Sequence, residues 1–290
     1  MSRNVYNKLV HTIVMRKVEL GKSGEKISII GQGTWGLNRW KSQAYYHQWR
    51  QSLRKGIELG MDHIDTAEAY GFGKAETIVG EVIAEYQRDD LFITSKLFPT
   101  HFTHDGMKKA AYNSLKRLNL DFFDLYLIHW PNPIVSAKKY MKVLEELVKE
   151  GKTRYIGVSN YSVKQVQTAQ NALKKEELVT NQVSANVAKQ KHIKFLPYYQ
   201  KESITMTAYS PLGHKGFTNL KGKLRETLEQ VAHNHQATIQ QIAIAWLINM
   251  DNVITIPKAL QISHVEANAK AAEITLSSDE MNMLTDNSTG

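Results

Sequence analysis

The 290-residue sequence contains no cysteine. That absence excludes disulfides, a thiolate nucleophile and Cys-ligated zinc. Long apolar runs are missing as well. The longest, Ile242-Ala-Ile-Ala-Trp-Leu-Ile248, is far too short to span a bilayer. Met1-Ser-Arg-Asn-Val-Tyr-Asn-Lys8 has no uninterrupted apolar core, so no signal peptide is expected and a soluble cytoplasmic protein is the default. There is no arginine-rich arm and no recognition-helix pattern. The net charge of +9 is scattered over pairs such as Lys108-Lys109 and Lys174-Lys175, which read as solvated helix faces, so nucleic-acid binding is not expected. Zinc-like His/Cys spacing, a Gly-Lys-Ser/Thr phosphate loop and a nucleophile-elbow glycine pattern are also lacking, so no metal site is expected. No coiled-coil or edge-strand signal for assembly is seen.

What is present is enough apolar material, 42% of residues, for a large core, and a length that suits one α/β barrel as a single domain over residues 1–290. Val14 to Leu20 and Lys26 to Ile30 flank a glycine turn and predict an N-terminal hairpin within about 14–30. Strands are then expected near 28–33, 62–65, 91–95, 123–129, 154–158, 179–183, 204–208 and 252–256. Helices are expected near 43–60, 74–87, 105–118, 137–150, 162–173, 190–201, 238–249 and 262–272. Tyr140, Met141, Leu144, Leu147 and Val148 form a buried-face stripe. Ser162 with Gln165 reads as a capping box, and Gly60, Asn119 and Gly151 as helix stops. Strict alternation argues for a parallel α/β domain. The rival is an open doubly wound sheet, whose glycine fingerprint has a partial echo in Gly31-Gln-Gly33-Thr-Trp-Gly36. No acidic residue closes the following strand at the expected distance, so the closed (β/α)8 TIM barrel is favoured, with an insertion at 210–235 before strand eight.

In such a barrel Asp65, Lys96, His129, Asn160, Gln182, Tyr209 and Lys258 fall at or just past the ends of strands two to eight and ring one mouth. Tyr70 follows Asp65 by five positions. A phenol titrates near ~10 and is a poor proton donor at neutral pH, but a nearby ammonium stabilises the phenolate and lowers its pKa. A carboxylate holds the lysine charged, and a histidine can orient a carbonyl oxygen. Each residue has a plainer account by itself: Asp65 as a helix cap, His129 as a satisfied core histidine, Lys96 as a mouth lysine, Tyr70 as packing. Their joint placement at successive strand ends favours a proton-relay site for adding hydride to a carbonyl.

Six motifs then resemble the aldo-keto reductase family over nearly the whole chain: Asp65-Thr-Ala-x-x-Tyr70-Gly, Ser95-Lys96-Leu97, Asp124-Leu-Tyr-Leu-Ile-His129-Trp-Pro131, Gly157-Val-Ser-Asn160, Tyr209-Ser-Pro-Leu-Gly213 and Ile256-Pro-Lys258. The match begins at Gly31-Gln-Gly-Thr-Trp35. The resemblance implies a hairpin-closed barrel and a nicotinamide-dependent reductase of aldehydes and ketones, reversible as an alcohol dehydrogenase. It implies Tyr70 as general acid, Lys96 and Asp65 tuning it, and His129 orienting the carbonyl. It implies Ser159, Asn160 and Gln182 on the carboxamide, Tyr209 stacked on nicotinamide, and Ser210, Leu212 and Gly213 at the pyrophosphate. Gly33, Thr34, Lys258, Ala259, His264 and Asn268 complete the implied cofactor set. Trp35, Phe98 and Trp130 match the aromatic walls for a small-molecule carbonyl substrate, with Phe98 where many relatives carry Trp.

Two departures bear on specificity. Many NADP-preferring relatives follow Ile-Pro-Lys with Ser, Arg, Glu and Asn, where this chain has Ala259, His264, Ala267 and Asn268. The expected cofactor is NADP(H) rather than NAD(H), held without the arginine clamp. The sequence also stops at Gly290, without the long C-terminal loop of many relatives, which implies a more open pocket. Two other classes compete with the reductase: a cofactor-binding sensor or regulatory subunit with little activity, and a Schiff-base aldolase using Lys96. The intact Asp65, Tyr70, Lys96 and His129 set argues against the first.

Overall fold

The computed structural model describes residues 13–213 and 216–287. The leading segment read as lacking a signal peptide lies outside them. A two-stranded antiparallel hairpin, β1 (Lys17–Glu19) and β2 (Lys26–Ser28), comes first. Eight parallel strands follow in sequential order: β3 (Gln32–Gly33), β4 (His63–Asp65), β5 (Phe92–Leu97), β6 (Phe123–Ile128), β7 (Thr153–Ser159), β8 (Leu178–Ser184), β9 (Thr205–Tyr209) and β10 (Val253–Thr255). The ends of the sheet meet. Ile30 bridges Thr255 in parallel, and Gly31 N donates to Thr255 O at 2.8 Å, so the sheet closes into a barrel rather than the open alternative. The first strand is only two residues long in the ladder.

The hairpin plugs the N-terminal end. Gly21 N donates to Thr205 Oγ1 at the foot of β9, and Ser28 N donates to Asp62 Oδ1 before β4. Arg154 joins Glu25 of the hairpin to buried Asp124, whose other oxygen takes Arg88 and Ile93 N. The catalytic-type residues therefore sit at the opposite, C-terminal end, as the strand polarity requires.

Alternation decides which side chains face inward. On β6, Tyr126 and Ile128 pack with the outer helices, while Leu125 and Leu127 join the cluster inside the barrel with Phe92 and the hairpin's Ile27. The inward parity continues to His63 and Asp65 on β4, Thr94 and Lys96 on β5, His129 after β6 and Gln182 on β8.

The helices are α1 (Gln43–Glu58), α2 (Lys74–Ile83), α3 (His104–Leu118), α4 (Ala137–Lys149), α5 (Val163–Ala172), α6 (Leu196–Glu202), α7 (Lys223–Asn234), α8 (Ile239–Ile248), α9 (Ile262–Lys270) and α10 (Ser278–Asp286). The Ser162/Gln165 capping box forms, and Asn119 ends α3 at φ 54°. The helix expected over 190–201 is shorter. A 3-10 turn at Ile193–Phe195 precedes α6, whose first turn carries Pro197, a residue suited to a helix start. The 210–235 insertion contains α7, which packs with α10 over α8. That cover is needed because α8 is buried on every side from Ile242 to Ile248, with Trp246 Nε1 donating to Thr285 Oγ1. Among the described residues no helix is long and apolar enough to cross a membrane.

Candidate active site

The barrel mouth opens into a cavity of about 550 Å³. Asp65, Tyr70 and His129 are on its wall, with Lys96 fully buried beneath. Asp65 ends β4, where Thr34 donates to its carbonyl through both N and Oγ1, each at 3.0 Å. Lys96, on the next strand with the same parity, reaches inward. Its three ammonium protons have three acceptors: Asp65 Oδ1 at 2.5 Å, Thr66 O at 2.9 Å and the Tyr70 hydroxyl at 3.4 Å. The second carboxylate oxygen accepts from Gln182 Nε2 at 2.7 Å. A buried charge pair is tolerated when its polar atoms are satisfied in this way. Burial lowers the Lys96 pKa, and Asp65 opposes that shift.

Because the Tyr70 oxygen accepts from Lys96, its own proton is left to donate elsewhere. The expected lowering of the Tyr70 pKa is not what the geometry gives. Burial, then the Asp65 charge, then Tyr209 raise it well above the ordinary value. Lys96 spends its charge on Asp65 first, and its approach to the phenol is longer. The phenol therefore holds its proton, and the lysine's influence grows only as negative charge develops on the oxygen.

His129 follows β6 with its N–H on Leu97 O at 3.0 Å. Its ring stands edge-on to Tyr70 and to Phe98, with centroids 5.6 and 5.8 Å apart. Burial, then Lys96, lowers its pKa to about 3, so the ring is neutral, and its buried Nδ1 has no partner among the described residues.

Just past β7, the strand next to β6, Asn160 adopts a left-handed φ of 62°. Its Oδ1 accepts from Tyr209 OH at 2.8 Å, and its Nδ2 donates to His129 O and Ser159 Oγ. Ser159 Oγ in turn donates to Gln182 O at 2.9 Å. Gly33 lines the cavity where a Cβ would come within 2.6 Å of Ile256 O, a close approach that only glycine permits. Ser210, Leu212, Gly213, Lys258, Trp35, Phe98 and Trp130 also border it.

Compared with known proteins, the chain matches the aldo/keto reductase family over residues 29–288. It is 36% identical to methylglyoxal reductase YeaE of Escherichia coli (strain K12), covering 88% of this chain and 89% of that one. A crystal structure of a thermostable aldo-keto reductase in complex with the inhibitor epalrestat superposes with a TM-score of 0.89 at 41% identity, covering 94% of this chain and 99% of the other. An aldo/keto reductase from Klebsiella pneumoniae, solved with NADP and acetate, gives 0.85 at 35% identity, covering 94% and 95%. The chain belongs to the aldo/keto reductase family. It is an NAD(P)-dependent oxidoreductase with the barrel of that family and its added hairpin.

In this aldo/keto reductase the cavity is lined by the polar side chains of Ser159, Asn160 and Gln182, by the Tyr209 ring and by Ser210–Gly213, groups able to hold a polar ligand. Gln182 keeps a carbonyl oxygen with no protein donor among the described residues, its nitrogen being taken by Asp65. Four residues of the implied cofactor set do not line this cavity. Thr34 is buried behind Asp65, Ala259 and Asn268 border a separate small cavity with Trp49 and Gln32, and His264 is exposed on α9.

Sequence reasoning missed Glu68 and Lys189. Glu68 Oε1 accepts from Phe98 N at 2.7 Å and from His101 Nε2 at 3.1 Å, fixing the loop that carries the Phe98 wall. Its place inside Asp65-Thr-Ala-Glu-Ala-Tyr70 was the available signal. Lys189 lies on the cavity wall and had no motif to mark it.

Proposed function

We propose that this aldo/keto reductase reduces short α-oxoaldehydes of the methylglyoxal class, in the cytoplasm, using NADPH in preference to NADH. The observation that carries the catalytic reading is the Lys96 ammonium, whose third proton goes to the Tyr70 oxygen while the other two are held by Asp65 and Thr66. Tyr70 is the general acid. It donates its proton to the carbonyl oxygen, and Lys96 compensates the charge left on the phenol. Asp65 keeps Lys96 charged and aimed. Neutral His129 orients the carbonyl by a hydrogen bond, a role that its position edge-on to Tyr70 favours. A reduced nicotinamide bound here would supply the hydride. Ser159, Asn160 and Gln182 would hold its carboxamide and Tyr209 its ring face, with Ser210, Leu212 and Gly213 beside the diphosphate and Lys258 near the 2′-phosphate.

The substrate class follows from the walls and from the relatives. Trp35 and Trp130 are 57% and 45% exposed, and among the described residues nothing from 216–235 lines the cavity. Such a mouth encloses few atoms of a large substrate and favours small, reactive carbonyls, for which few remote contacts are needed. Methylglyoxal reductases YeaE and DkgB are relatives at 36% and 32% identity. The deciding assay follows loss of NADPH absorbance with methylglyoxal against aliphatic, aromatic and sugar carbonyls. Methylglyoxal turnover above the rest is expected. Failure of every carbonyl to oxidise NADPH or NADH would overturn the reading.

A further inference from the structure

The cavity wall carries two exposed lysines, Lys189 and Lys258, and neither has a carboxylate partner among the described residues. Among the described residues Asp65 is the one acid on that wall, and Lys96 already neutralises it. The mouth therefore presents uncompensated positive charge to whatever enters.

Lys258 stands just beyond β10. Lys189 comes from the turn after β8, two strands away, and its placement is built. After β8 the chain turns tightly: Lys189 N donates to Asn186 O at 2.9 Å, and Asn186 N donates to Lys189 O at 3.2 Å. Asn186 Oδ1 takes Ala188 N, while Asn186 Nδ2 donates to Ser210 O at 3.1 Å. The turn is thus fastened to the Ser210–Gly213 loop. Ser210 and Gly213 are themselves held in left-handed conformations, φ 53° and 61°. The lysine and the loop form one wall of the groove. Tyr70 and His129 follow other strands, β4 and β6.

We propose that Lys189 binds the diphosphate of the dinucleotide, supplying the cation beside the Ser210–Gly213 backbone. This rests on reading the cavity as a dinucleotide site. A diphosphate is common to NADPH and NADH, so Lys189 strengthens both equally, whereas a contact to the 2′-phosphate would serve NADPH alone. The two lysines divide the anion between them.

The test is titration of NADPH and of NADH, by quenching of intrinsic fluorescence, against the wild type, Lys189→Met and Lys189→Arg. For Lys189→Met both dissociation constants should rise by the same factor, about threefold to fivefold at low ionic strength, the size of an exposed ion pair. The difference should shrink in about 1 M salt, where the screening length falls to ~3 Å. Lys189→Arg should stay close to the wild type. A loss confined to NADPH, or no change with either cofactor, would overturn the assignment. If the wild type binds neither cofactor, the dinucleotide reading itself fails, which is a different result from an unchanged variant.

Discussion

Gln182 reaches across the barrel from β8 to donate to Asp65 on β4, Nε2 to Oδ2 at 2.7 Å. With Lys96 on Oδ1, the Asp65 carboxylate is paired on both oxygens inside a site where it is 1% exposed. Gln182 therefore serves the Asp65 carboxylate as well as lining the cavity. Gln182→Leu would leave one carboxylate oxygen without a donor, and an unsatisfied buried acceptor costs about 1–3 kcal/mol. Urea denaturation should show a loss of that order. A variant as stable as the wild type would mean that the carboxylate finds another donor.

Tyr70→Phe removes only the hydroxyl that accepts from Lys96. Cofactor affinity should persist while carbonyl reduction falls by about 10²–10⁴-fold or more, the usual range for a positioned acid. Steady-state turnover with methylglyoxal, beside a binding titration of NADPH, separates the two. Near-normal turnover would remove Tyr70 from the reaction.

His129 couples stability to acid. Its folded pKa is lowered to about 3, against about 6.5 for a free histidine. Between those values the unfolded chain binds a proton that the folded one does not, so stability rises with pH through this window and is lost as pH falls. From pH 6 to pH 4 the loss from this one group is on the order of 2–3 kcal/mol. His129→Asn should be less acid-sensitive by about that amount in paired denaturation curves. The same shift means that the pH dependence of turnover near neutrality carries no step from His129. A turnover step near pH 6.5 that disappears in His129→Asn would show that the ring titrates there.

Much of the site was legible because a closed parallel barrel leaves little freedom. Once Asp65, Lys96 and His129 are placed at strand ends with one parity, alternation points all three inward. Gln182 on β8 obeys the same rule. Features set by tertiary closure were less legible. The apolar positions Leu224, Leu228 and Val231 of α7 are present, but Gly222 gives that helix no side-chain cap to announce it. Glu68 and Lys189 act through loops that are distant in sequence, so no spacing marks them. The direction of the Tyr70 shift depended on burial and on Asp65, which a chemical inventory of the mouth does not weigh.

Glu68 anchors the loop that carries Phe98. Its carboxylate accepts from Phe98 N and His101 Nε2, while Asn132 Nδ2 holds Pro99 O at 2.7 Å from the other side. Glu68→Ala removes one of those two anchors. A hydrogen bond to a charged group contributes about 1.5–3 kcal/mol, so KM should rise by about tenfold or more, with kcat changing much less. Initial-rate kinetics with methylglyoxal read both constants. An equal fall in kcat with unchanged KM would place Glu68 in the chemical step instead.

Position 264 tests how the 2′-phosphate is distinguished. His264 is exposed on α9, away from the cavity wall, at the position where the family resemblance implies an arginine in many NADP-preferring relatives. Arginine stays charged and presents a forked array of donors to phosphate, which an imidazole does not. His264→Arg should therefore raise the NADPH/NADH affinity ratio by about tenfold, as expected of one charge-assisted contact. NADH affinity should stay the same, because NADH has no 2′-phosphate to meet. His264→Ala tests the reverse case. If the native imidazole touches the phosphate, the ratio falls, and if it does not, Lys258 alone sets the preference and the ratio holds. Titration of both cofactors against the three proteins gives the answer. An arginine variant whose ratio stays at the wild-type value would show that α9 does not reach the phosphate at all.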